Sequence, residues 1–309
     1  ALCLLGLIFG ILALGYGLAI AQVWEDAGLD IGVESGGWAW VEAQPIYYRT
    51  WGPKEGPWVV LIHGFQMEGQ ETWQANARVL GRWGMHVLAI DLKGFGHSFR
   101  DKTPTYSVRQ EALILAQVLN QLRVQKATIV AHGWGSAVAL QLAYEQPQFV
   151  DRLVLISPLV FHSPPCPWRP AARSPWLNRS AAWLFDAGGP LWRARQGQAF
   201  YDRSFLTPTY LRRVRQPTHI VGTLDALVAM ALSSPEDDLP EALLHISAPT
   251  LILLGERDRL SPPGEGQRLQ AGLPSAQLVI IPEAGHYVHI ERATEVNHYI
   301  ADFCLQHTP

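Results

Sequence analysis

The chain has 309 residues, 48% of them apolar and only 17% charged, with a formal net charge of −3. That is ample material for a packed core in one large domain or two small ones. The slight negative balance excludes a nucleic-acid partner of the usual basic kind. Three scattered cysteines, Cys3, Cys166 and Cys304, form neither a disulfide framework nor a metal cluster, so no metal or other cofactor is expected.

In chain order, the first element is "ALCLLGLIFGILALGYGLAIAQVW", which carries no charge before Glu25. About 20 apolar residues at 1.5 Å each match a hydrocarbon layer of ~30 Å, so residues 1–24 predict a retained transmembrane helix. A secretory signal ending at Ala19-Ile20-Ala21 is the rival reading, with an apolar region too long for it. Gly6, Gly10, Ala13 and Gly17 form a small-residue stripe, which in lipid admits a close helix partner; glycine is also simply common in membrane spans. Residues 22–48 contain acids but no Lys or Arg. With residues 25–44 as linker, this places the globular part on the non-cytoplasmic side of a single-pass protein.

From Trp38 onward strands alternate with helices. "PIYYRTW" reads as an early strand. The apolar runs at 57–63, 86–91, 127–132, 152–157, 249–255 and 277–282 read as strands buried on both faces. Helical stretches at 107–124 and 295–306 lie among them. This pattern predicts a mostly parallel, doubly wound sheet with ligands beyond the carboxyl ends of its strands. Residues 160–240 interrupt the alternation and predict a helical cap inserted between core segments 45–159 and 241–309. Between Phe161 and Arg215 the cap holds nine arginines against two aspartates. Trp168, Trp176, Trp183 and Trp192 sit among them, either packing the cap or meeting membrane lipid head groups.

Each strand end carries a specific group: His63-Gly64-Phe65, the loop "DLKGFGHS" at 91–98, the turn in "IVAHGWGSAVAL" at 129–140, Asp258, and His286. Five such motifs in this order resemble the α/β-hydrolase family over about residues 45 to 306. The resemblance implies that His286 is the general base and that Asp258 fixes its tautomer. It implies further that the backbone N–H groups of Phe65 and Trp134 form an oxyanion hole, and it puts Gly133 where the nucleophile belongs. It sets His63 and Gly64 beside the substrate, with cap residues Tyr201 and Tyr210, which in an epoxide hydrolase would be ring-opening acids. Ser136, three residues past Gly133, falls inside the following helix and makes a poor substitute.

Glycine has no atom that can attack and leave. The leading expectation is therefore a membrane-anchored, catalytically impaired protein serving as a binding or structural subunit, with a small apolar or acyl ligand. Two alternatives stay open. One is an ester, lipid or epoxide hydrolase whose nucleophile was replaced by Gly133 experimentally. The other is a slow hydrolase in which His286 and Asp258 activate a water.

Overall fold

The computed structural model describes residues 2–20, 36–103, 105–161, 168–185, 189–233 and 242–305. Eight strands form one sheet: β1 (Gly36–Val41), β2 (Gln44–Trp51), β3 (Trp58–Ile62), β4 (His86–Ile90), β5 (Ala127–His132), β6 (Val150–Ile156), β7 (Thr250–Gly255) and β8 (Ala276–Ile281). Their order is β1-β2-β4-β3-β5-β6-β7-β8. β2 pairs antiparallel with both β1 and β4, and all other pairs are parallel. The sheet thus begins inside the stretch read as linker. Of that linker, residues 25–35 lie outside the described residues, whereas 36–41 form an edge strand. Gln121 holds this strand by accepting from Trp40 N–H at 3.0 Å and donating to its carbonyl at 2.6 Å.

The period of two along each strand sorts its side chains onto opposite faces. Val60, Ile62, Leu88, Ile90, Ile129, Leu153, Leu155, Ile252 and Leu254 enter one core, packed by helices α3 (Val108–Gln121) and α4 (Gly135–Glu145). Val59, Leu61, Val87, Ala89, Val130, Val154, Ile156, Leu251 and Leu253 enter the other. That face is covered by α2 (Gln74–Arg82) and the C-terminal helix. Ser107 caps α3, its Oγ accepting from Gln110 N–H at 3.2 Å. Residues 135–143 of α4 are all buried, as expected of a helix apolar on every side.

Between β6 and β7 lie α5 (Arg169–Ala172), α6 (Asn178–Phe185), α7 (Pro190–Ala199), α8 (Pro208–Arg215) and α9 (Thr223–Leu232). After β7 come α10 (Pro263–Gly272), α11 (Val288–Glu291) and α12 (Ala293–Leu305). Of the cap tryptophans, Trp168 and Trp192 are buried and Trp183 is half-buried, while Trp176 is exposed.

The apolar N-terminal run forms α1 (Leu2–Ile20), and here the transmembrane expectation is corrected. Among the described residues, no helix is long and apolar enough to cross a membrane. The reason lies in where α1 packs. Gly15 is buried, and a Cβ placed on it would meet Ser180 and Trp183 of α6 at 3.7 Å. The single-pass topology and the non-cytoplasmic placement fall with that span.

Candidate active site

The site is built at the carboxyl ends of β3, β5, β7 and β8. β5 ends at His132 and α4 begins at Gly135, so the chain reverses within Gly133 and Trp134. Gly133 has φ +54°, a left-handed conformation that costs a side chain strain and glycine almost nothing. Gly135 answers a different need: a Cβ there would lie 2.2 Å from the His63 carbonyl oxygen, so strand β3 and the elbow meet only over a bare α-carbon.

His286 follows β8 and turns back over the elbow. A Cβ built on Gly133 would stand 3.4 Å from His286 Nε2 and 3.8 Å from the Gly64 α-carbon. On the other side of the ring, His286 Nδ1 lies 3.0 Å from Asp258 Oδ2. The second carboxylate oxygen, Asp258 Oδ1, accepts the N–H groups of Leu260 and Ser261, both at 2.8 Å. Burial pushes the Asp258 carboxyl up, but the charge and hydrogen bond of His286, with the two backbone donors, outweigh it and hold the group below its usual range. The His286 backbone is also pinned: its N–H donates to Ala199 O at 2.7 Å, and its carbonyl accepts from His132 Nε2 at 3.0 Å.

Among the described residues no acceptor is bonded to the N–H of Phe65 or Trp134. The Phe65 side chain is 45% exposed, its ring edge-on to Phe95 at 5.2 Å and to Trp134 at 6.4 Å, which gives the crevice an apolar wall. His63 is buried with both nitrogens occupied. Nε2 accepts Leu92 N–H at 2.9 Å, so Nδ1 carries the proton toward Gly64 O at 2.6 Å. It thereby ties the loops after β3 and β4 together. Ser136 is fully buried and its Oγ donates to Ala131 O at 3.2 Å, so its hydroxyl is committed to the backbone.

The two cap tyrosines are placed differently. Tyr201 is 48% exposed, and its backbone N–H donates to Glu291 at 2.9 Å. Tyr210 is buried edge-on against Phe200 at 5.4 Å, with a hydroxyl that has no partner among the described residues. Glu291 escaped the sequence reading. It also accepts from Asp202 N–H at 2.8 Å and Gly285 N–H at 2.7 Å, stitching the cap to the loop that carries His286. No spacing in the sequence marks it, because all its partners are backbone groups and two of them lie about 90 residues away in the chain.

Several titratable groups are buried, and their linkage predicts how stability changes with pH. Burial pushes Glu68 and Asp91 up to about 7 and Glu111 to about 8. Their contribution is present below the unfolded carboxylate values and is lost as pH rises through 7 to 8. Burial drives His63 and His97 down to about 4, His289 to about 3, and His132 lower than its usual range. Their contribution is present above the unfolded histidine value and is lost as pH falls through these lowered values. Between about pH 4 and 6.5 the two sets oppose each other, and above about pH 6.5 only the carboxylate loss remains, so stability is expected to decline from there to about pH 8. Urea midpoints from pH 4 to 9 test this, and Glu111→Gln will flatten the alkaline limb. A midpoint that still climbs above pH 8 would contradict it.

A strand-turn-helix elbow after β5, an Asp–His pair after β7 and β8, and two N–H groups without an acceptor among the described residues define a hydrolase-type frame. The α/β-hydrolase fold family matches residues 57–293, and the chain belongs to that family. It is similar to a 2-hydroxy-6-oxononadienedioate/2-hydroxy-6-oxononatrienedioate hydrolase of Cupriavidus pinatubonensis, 28% identical over 79% of this chain and 86% of that one. A haloalkane dehalogenase of Mycolicibacterium paratuberculosis is 29% identical over 81% of this chain and 84% of its own. In fold it resembles a hydrolase from Pseudomonas aeruginosa, with a TM-score of 0.75 and 22% identity over 89% of this chain and all of the other. These relatives are named as enzymes. Together with the lack of a membrane-crossing helix among the described residues, they overturn the reading as an impaired binding or structural subunit of a membrane assembly.

Proposed function

We propose that the chain is a hydrolase of small acyl substrates that works without a covalent intermediate, with Gly133 standing in the nucleophile's place. His286, oriented by Asp258, takes a proton from a water set over Gly133. The water oxygen attacks the substrate carbonyl, and the N–H groups of Phe65 and Trp134 receive the charge that develops on oxygen. Collapse of the tetrahedral species expels the alcohol, which recovers the proton from His286. One water is consumed, and one acid and one alcohol are formed.

The observation that carries this reading is the 3.4 Å between His286 Nε2 and a Cβ position on Gly133, with the Asp258 hydrogen bond intact on the far nitrogen. The base is poised over a spot where a side chain would otherwise stand. Relatives named for different bonds support hydrolysis as a class and leave the substrate open. The apolar wall of Phe65, Phe95 and Trp134 favours an apolar acyl group. A frame that keeps base and oxyanion donors but lacks one triad member retains roughly 10³–10⁴-fold acceleration over water.

Pre-steady-state assays with short-chain aryl esters test the reading. Turnover is expected to exceed buffer, to show no initial burst of alcohol, and to disappear in His286→Ala. Rates equal to buffer, or a stoichiometric burst, would sink it.

A further inference from the structure

Glu291 ends the short helix α11 and is buried. Its carboxylate accepts three hydrogen bonds, all from backbone N–H groups. Oε2 accepts from Gly285, the residue before the base, at 2.7 Å. Oε1 accepts from Tyr201 at 2.9 Å and from Asp202 at 2.8 Å, both in the cap. Taking a carboxylate out of water is costly, and N–H bonds to a charged acceptor are of the stronger kind that offsets this. One side chain thus grips two separate segments.

The two segments also meet directly. His286 N–H donates to Ala199 O at 2.7 Å, and the Tyr287 hydroxyl donates to Gln196 Oε1 at 3.2 Å. The rings of Phe200 and Tyr287 lie 4.7 Å apart. A Cβ on Gly285 would stand 2.5 Å from Ala199 O and 2.6 Å from Tyr201 N, so this approach admits only glycine. Cap residues 196–202 are therefore joined to the base's loop at three successive positions: through Glu291 at 285, by backbone at 286, and by side chain at 287. The same His286 presents its Nε2 3.4 Å from the Cβ position on Gly133.

We infer that Glu291 is a positioning residue for the general base: it locks cap residues 199–202 to residues 285–286, so that the seating of the cap sets where His286 Nε2 stands over the elbow. This rests on His286 acting as base in the reading above. Glu291 exchanges no proton in the reaction and acts only through His286. Its effect runs through distance, because a displacement of about 1 Å at a catalytic group can cost about 100-fold in rate. The apolar wall of Phe65, Phe95 and Trp134 stands on other loops and keeps its hold on the acyl group.

Glu291→Gln tests this at nearly constant size. An amide has a single oxygen, so it cannot accept from both segments and turns N–H₂ toward one of them. In the Gly133→Ser background, where turnover does not depend on a captured water, kcat is expected to fall about 10- to 100-fold with KM within about threefold. Gly285→Ala pries the same segments apart by bulk; it is expected to give the same split, and it decides the matter if Glu291→Gln does not fold. A readout independent of turnover is the low-field proton resonance of His286 Nδ1–H in the natural chain, identified by its loss in Asp258→Asn. Its exchange with water is expected to quicken about tenfold or more in both variants. Unchanged exchange, or a kcat within about threefold of the parent, would overturn the assignment. So would a loss carried mainly by KM, which would make the contact a support for substrate binding. If the natural chain shows no turnover and the resonance still quickens, the water-activating reading fails while the positioning of His286 stands.

Discussion

Gly133→Ser is expected to raise kcat on short acyl esters by at least about 100-fold and to introduce a burst of alcohol equal to one active site. The space is already there. The Cβ of the new serine would sit 3.4 Å from His286 Nε2, an ordinary contact, and its Oγ extends from that point toward the base. That brings it within the ~2.6–3.2 Å over which a base takes a hydroxyl proton. An attacking hydroxyl bonded to the frame replaces a water that must first be captured, and positioned nucleophiles gain several powers of ten in effective concentration. The gain has a structural cost. A serine at φ +54° is strained by ~1–2 kcal/mol, so Tm is expected to fall by a few degrees while activity rises. Stopped-flow assays and thermal melts read both quantities. A folded Gly133→Ser protein with unchanged kcat would mean that the elbow is not the reacting position.

The second large effect is expected from Asp258→Asn, measured in the Gly133→Ser background where the range of rates is wide. Asparagine keeps an oxygen for the Leu260 and Ser261 N–H groups, so the loop stays folded. It turns an amide N–H₂ toward His286 Nδ1 in place of Oδ2, which now sits 3.0 Å away. The imidazole must then accept at Nδ1 and carry its proton on Nε2, the nitrogen that has to act as base. A wrong tautomer of this kind costs about 10⁴ in kcat in a hydrolytic triad. A loss of ~10³ or more is expected, with KM within a few-fold and little change in Tm. If kcat fell less than tenfold, the carboxylate would not be orienting the base.

Much of the fold was legible because buried parallel strands announce themselves. "WVVLI", "ATIVAH" and "TLILLG" are too apolar and β-branched to sit anywhere but in the middle of a covered sheet, and each is found there. The order of the strand-end motifs was legible for the same reason. Gly133, Asp258 and His286 follow recognisable strands, and a parallel sheet delivers all its carboxyl ends to one edge. The strand at 36–41 was harder to see. Two of its tryptophans are exposed at the sheet edge, so its pattern of burial is weak, and Gln121 from another element completes its hydrogen bonding.

By itself the sequence determined the identity and order of the chemical groups: a glycine at the elbow, an acid and a histidine after later strands, and a helical insertion between β6 and β7. These are local properties, set by residue type, spacing and the two-residue period of a strand. Tertiary packing decided the rest. It laid Gly15 of α1 against Ser180 and Trp183, so an apolar run that reads as a membrane span in isolation is partly covered by the protein's own cap. It brought Glu291 onto three backbone N–H groups, although nothing in its neighbourhood marks the residue. Contacts between residues tens to hundreds of positions apart leave no periodic trace in a chain, and only the folded arrangement shows which groups they join.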